Sequence, residues 1–223
     1  MGSGRRPSPV PWQDISKAKK ADREARLAQR PELRLGFAVP GEQNDVSQLP
    51  TSQLTLRQLE IVHLDATALA EALRNRRYTA VETLQAFCHV ATIAQDLTNC
   101  LTEVLFDEGL ARARELDQYL EETGEVVGPL HGVPVSIKDH ILVRGHDTAT
   151  GYIRWAGRTI AEKDAVVVDL LRKAGAVIYV KTANPQTLLV RFGLVTVMGV
   201  RLNTYSIDSY RPSKQTTTFM GGP

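Results

Sequence analysis

Only two cysteines, Cys88 and Cys100, occur in 223 residues. Two thiols cannot build a disulfide framework, and these stand in no metal-ligand spacing. Long apolar runs are also missing. None approaches the roughly 18 residues a membrane span requires, so no stable membrane insertion is expected. Charge of one sign is scarce: 27 Lys+Arg stand against 25 Asp+Glu, a net +2. That balance argues against nucleic acid as a main partner. The N-terminal MGSGRRPSPV is polar and proline-bearing, so it is no secretory signal. Arg6 occupies the position where myristoylation needs Ser or Thr. These absences point to a reducing, cytoplasmic setting. Hydrophobic residues make up 43% and charged residues 23%, ordinary for a globular protein with a sizeable core.

Residues 1–50 carry no core pattern and read as a polar, partly disordered arm. Lys17 to Arg34 holds seven basic and three acidic residues around alanines. It reads as a solvated arm or a short charged helix on a surface, with no interleaved aromatics. Folded structure is expected from about Leu54. Thr67 is placed to cap a helix from Ala68 to about Arg77. Thr79 and Glu82 fit a capping box, followed by Val81, Leu84, Phe87, Cys88, Ala91 and Ala94 at helical spacing. This puts Cys88 in the core. A further helix is expected from about Asp107 to Thr123, with Leu110, Ala113, Leu116 and Leu120 on one face and Gly124 ending it.

The texture changes at Gly128-Pro-Leu-His-Gly132. Val133 to Ile137 is short and β-branched and reads as a strand, closed by Lys138 and Asp139. Val143 to Trp155 reads as an irregular loop. Asp164 is expected to cap a helix that turns Val166, Val167, Leu170, Leu171 and Ala174 inward and ends at Gly175. Ala176 to Val180 reads as a second strand. Strand, loop, helix, strand is a βαβ-like unit with a parallel sheet. The fold class is therefore α/β.

Ligands of open α/β sheets gather at the C-terminal ends of strands, where Lys138 lies. A lysine whose stem is in apolar surroundings has a lowered pKa and can act as a base. The same residue type also snorkels from sheet edges or pairs with a neighbour such as Asp139. Val135-Ser-Ile-Lys138 matches a kinase strand motif, but no glycine-rich loop precedes it and no H-R-D or D-F-G segment follows.

Residues 128–152, GPLHGVPVSIKDHILVRGHDTATGY, together with 164–189, DAVVVDLLRKAGAVIYVKTANPQTLL, resemble the amidase signature family of serine hydrolases, and its fungal acetamidase-like branch in particular. Residues 97–117 resemble the same branch, so the likeness covers about 50–190. The resemblance implies N-terminal helices followed by part of a mixed, mostly parallel sheet. It implies hydrolysis of linear carboxylic amides by a Ser–cis-Ser–Lys triad, with Lys138 as the base and a small-molecule amide as substrate. No cofactor is expected, and no metal, because no carboxylate or thiol cluster accompanies the histidines that flank Lys138. Thr148, Thr150 and Gly151 resemble a T-x-G loop near the catalytic cavity. His131 would be structural, as is common in L-H-G-V-P. His140, on the other side of Lys138, carries no metal role. Lys181, Thr182 and Asn184 open the next strand end, where they either line the site or serve the fold.

One departure stands out. The family's Gly-Gly-Ser-Ser-Gly-Gly-Ser run, whose glycines let backbone N–H groups surround an oxyanion, is missing. Ser213 lies 75 residues beyond Lys138, about where the relay serine belongs, but Arg211, Pro212, Lys214 and Gln215 surround it. The nucleophile would lie beyond Pro223. Residues 191–223 therefore read as a divergent tail on a truncated amidase domain spanning 51–190. The expectations are an inactive chain or a non-catalytic scaffold, poorly soluble or homo-oligomeric because a sheet lacking its later strands exposes an apolar edge.

Overall fold

The computed structural model describes residues 10–36, 46, 48–185, 188, 194–196 and 199–201. Its helices are α1 (Trp12–Ala28), α2 (Leu49–Ser52), α3 (Leu56–Val62), α4 (Ala66–Arg74), α5 (Ala80–Thr98), α6 (Phe106–Thr123) and α7 (Val166–Lys173). Strands β1 (Leu101–Val104), β2 (Pro134–Lys138) and β3 (Val177–Thr182) form one sheet in the order β1-β3-β2. β2 runs parallel to β3 and β1 antiparallel to it. β4 (Leu194–Thr196) and β5 (Gly199–Arg201) pair as a separate antiparallel ribbon. The chain is thus a mixed α/β unit with N-terminal helices and a small mixed sheet.

Helix starts follow local chemistry. α4 is capped by Asp65, whose Oδ1 accepts the Ala68 N–H at 2.8 Å, not by Thr67, and the helix stops at Arg74 because Arg76 turns left-handed. Thr79 Oγ1 accepts the Glu82 N–H at 3.0 Å. Glu82 does not reach back as a capping box requires; it pairs with Arg57. The remaining donors at the start of α5 go to Asp117 of α6, which accepts from Ala80 N at 2.6 Å and Val81 N at 3.0 Å. Free N–H groups at a helix start need such partners, and here one of them comes from a neighbouring helix. α6 ends where expected, at left-handed Gly124.

The main core packs Leu84, Ala113, Leu116, Val177, Tyr179 and Val180 between α5, α6 and one sheet face. Cys88 lies in it as expected. A smaller core of Leu105, Ile137, Val143, Val168 and Ile178 covers the other face. α7 departs from its expected orientation. Asp164 makes no cap; its carboxylate instead accepts from Arg144 N and Arg172 Nε. Val166, Val167 and Leu170 face outward, at 78, 49 and 58% exposure, while Val168 is buried. A three-stranded sheet offers room for only one row of this helix.

The GPLHGVP segment is zipped along the α7–β3 turn. Leu130 N donates to Ala174 O, Gly132 N to Gly175 O, and Val177 N to Val133 O. A side chain at Gly175, whose φ is +91°, would sit 2.8 Å from the His131 Cα. Backbones can approach this closely only without a Cβ. This contact sets the start of β2 and hence where Lys138 emerges.

α1 is docked rather than solvated. Arg23 is buried and donates to Asn99 Oδ1 and Leu101 O, and Arg26 donates to Val104 O. These guanidinium groups satisfy carbonyls of β1, an edge strand of the sheet.

Candidate active site

Lys138 is the last residue of β2, half-buried, and paired in register with Thr182 of β3. The strand end is closed by Asp139 N donating to Thr182 O and Ile141 N donating to Lys138 O, both at 2.9 Å. Asp139 is 1% exposed. Burial pushes its carboxyl above the usual range, against the pull of Lys181, and the Thr102 hydroxyl and Thr150 backbone N–H face it. One of its oxygens, Oδ2, has no hydrogen-bond partner.

The loop expected from Val143 to Trp155 is irregular, ends in a 3-10 turn at Ile153–Trp155, and continues without regular structure to Ile160. Asp147 organises it. Its carboxylate accepts from Thr148 N, Gly157 N and the Thr159 hydroxyl at 3.1, 2.7 and 2.9 Å. Burial opposes ionisation, but these donors and Lys19 outweigh it and hold the group below its ordinary value. Thr150 and Gly151 are both left-handed, at φ 54° and 79°.

Two lysines converge on this loop from opposite sides. Lys181 of β3 is 0% exposed and donates to Asp147 O at 2.7 Å and Thr148 Oγ1 at 2.9 Å. Burial lowers its pKa despite the nearby Asp139, Glu103 and Asp147. Lys19 of α1 bonds Glu103 and lies 3.0 Å from Asp147 Oδ2. Burial pulls Lys19 down, but the two carboxylates prevail and its pKa rises. His146 bridges Glu108, at 3.0 Å, and Glu103, at 3.7 Å. Burial lowers its pKa and the two glutamates more than restore it.

Of the sequence candidates, Thr148 bonds Lys181 and Thr150 faces Asp139, so the T-x-G loop and the end of β2 share one polar cluster. Ser213 lies outside the described residues. His131 is buried with Nδ1 accepting the Val127 N–H at 3.1 Å, a structural arrangement; His140 is exposed. Asn184 is buried, donates to Pro185 O, and leaves Oδ1 without a partner. Among the described residues no His/Cys/Asp/Glu group is arranged to hold a metal ion. Sequence reasoning missed Lys19, Glu103 and Asp147. Lys181 was legible as a charge within the apolar run AVIYVKT.

The family model described as Amidase matches residues 82–210. The chain belongs to the amidase family. The Schizosaccharomyces pombe relative C550.07, named as an amidase, is 45% identical over 165 residues, which are 73% of this chain and 31% of the relative. The acetamidase of Emericella nidulans is 41% identical over 87% of this amidase chain and 35% of its own length. Among solved structures, a fatty acid amide hydrolase superposes with a TM-score of 0.77 at 31% identity, covering 88% of this chain and 35% of its own. The amidase chain therefore spans about a third of the length of the relatives it matches.

Proposed function

We propose that Lys138 is the base of a Ser–cis-Ser–Lys triad that hydrolyses linear carboxylic amides, and that residues 51–190 are the N-terminal part of the domain that does so. The observation that carries this reading is the placement of Lys138 at the C-terminal end of parallel strand β2, adjoining the Asp139 carboxyl that faces the Thr150 N–H. In the proposed reaction a serine hydroxyl attacks the amide carbonyl and passes its proton through a second serine to neutral Lys138. Lys138 returns that proton through the second serine to the leaving nitrogen as the C–N bond breaks and the amine departs. Water, giving a proton to Lys138 by the same path, then attacks the acyl-enzyme, which releases the acid and regenerates the serine hydroxyl. Thr148, Thr150 and Gly151 would line the substrate cavity. The relatives named as acetamidase and fatty acid amide hydrolase support acyl groups from small to fatty.

The 223 residues contain no glycine-serine run. A base without a nucleophile and oxyanion hole lacks most of the rate enhancement of a serine hydrolase. These residues by themselves are therefore proposed to be inactive, with 191–223 a divergent tail. Ser213 is the serine nearest the relay position, though without flanking glycines. A cytoplasmic setting fits the two free cysteines, and self-association fits the outward apolar face of α7. No helix among the described residues is long and apolar enough to cross a membrane.

The test is ammonia release from acetamide and longer primary amides by the purified chain. No release above buffer is expected. Release that disappears in Lys138→Met would support Lys138 as base and overturn the proposed inactivity. Release unchanged by Lys138→Met would overturn both.

A further inference from the structure

A surface arm would have no reason to bury its charges, yet α1 places Lys19 against two buried carboxylates. Asp147 is thereby gripped from both ends of its side chain and backbone. Lys19 faces its carboxylate at 3.0 Å, and Lys181, from the strand beneath, takes its carbonyl at 2.7 Å. Lys181 also takes the Thr148 hydroxyl at 2.9 Å. Two residues further on, the Thr150 N–H faces Asp139, the neighbour of Lys138. The left-handed pair Thr150–Gly151 is a conformation a non-glycine residue holds only when its surroundings impose it.

We propose that Lys19 of α1 and Lys181 of β3 are positioning residues that clamp Asp147 and so hold the Thr148–Gly151 turn against the Lys138–Asp139 end of β2. This rests on the reading of Lys138 as the base and extends it: the N-terminal helix becomes part of the site's support. The clamp is directional. Each Asp147 contact fixes a different atom, so neither lysine alone defines the turn. Glu103 keeps Lys19 in place, and His146, itself paired with Glu108, faces Glu103 from the other side. A cavity of about 620 Å³ opens beside Lys19, bordered by Ala18, Gly145, Gly157 and Ile160. It offers space for a guanidinium, which would keep the ion pair in a Lys19→Arg variant.

The test is competitive trace acetylation of the 223-residue chain, read by mass spectrometry as the rate at Lys138 relative to exposed Lys163. Variants are Lys19→Met, Lys19→Arg, Lys181→Met and Thr148→Val, with amide exchange of α5 and β3 reporting the intact core. Lys19→Met, Lys181→Met and Thr148→Val are expected to raise the Lys138 rate at least about threefold and speed exchange at 147–151, while Lys19→Arg keeps both near wild type. If Lys181→Met fails to fold, Thr148→Val removes one of the two Lys181 bonds, that to the Thr148 hydroxyl, within an isosteric side chain, and Lys19→Met tests the opposite arm of the clamp. An unchanged Lys138 rate in Lys19→Met and Thr148→Val with an intact core would overturn the proposal, as would Lys19→Arg behaving like Lys19→Met. The readout needs no turnover, so it stands or falls separately from the assignment of Lys138 as base.

Discussion

Replacing Gly175 by alanine tests how the GPLHGVP segment positions β2. Gly175 adopts φ +91°, and an added Cβ would lie 2.8 Å from His131 Cα and 3.0 Å from His131 N. Both are backbone atoms, so no side chain can rotate away. A left-handed non-glycine residue costs about 1–2 kcal/mol. Forcing the two backbones apart adds about 1–3 kcal/mol. Restricting the unfolded chain returns only about 0.4–1 kcal/mol. The net loss should be about 1–5 kcal/mol. Gly124 supplies the control, since its φ is +75° but nothing lies within 4 Å of the added Cβ. Gly124→Ala should therefore show the backbone cost alone, about 1 kcal/mol. Urea denaturation followed by circular dichroism and by the fluorescence of Trp12 and Trp155 measures both. Equal losses for the two variants would refute the close-approach argument.

Three further outcomes are expected. Thr79→Ala should cost about 1 kcal/mol in the same urea assay, less than an unsupported cap would, because Asp117 still serves the two preceding donors. The pKa of His146 is raised in the folded state, so its contribution to stability is present below its unfolded value of about 6.5 and lost as pH rises through the folded one. Stability measured across that window should fall with rising pH, and His146→Gln should flatten that fall. Leu170→Glu should leave the urea midpoint nearly unchanged while reducing self-association in sedimentation velocity, since Leu170 is 58% exposed on α7.

The helices α5 and α6 and the strands β2 and β3 were legible because their signals are local: a Thr cap, apolar residues at helical spacing, a left-handed Gly124, two β-branched runs. β1 was not. Its four residues, Leu101 to Val104, are all buried, so they show no alternation and merge with the flanking helical text. The orientation of α7 was misread because its apolar residues surround the helix, and burial depends on how many strands lie beneath. At the proposed site, Lys138 and the T-x-G loop were named as candidates through motif. Lys19 was read as solvated because nothing local marks a lysine whose partners, Glu103 and Asp147, are 84 and 128 residues away. Such contacts become visible only when the fold brings the segments together.

The central proposal is that Lys138 is the amidase base and that these 223 residues do not supply its nucleophile. A serine-directed fluorophosphonate probe, incubated with the purified chain and read by intact mass, tests it most directly. The account predicts no adduct, on Ser213 or elsewhere. Stoichiometric labelling that is abolished by Lys138→Ala would contradict it.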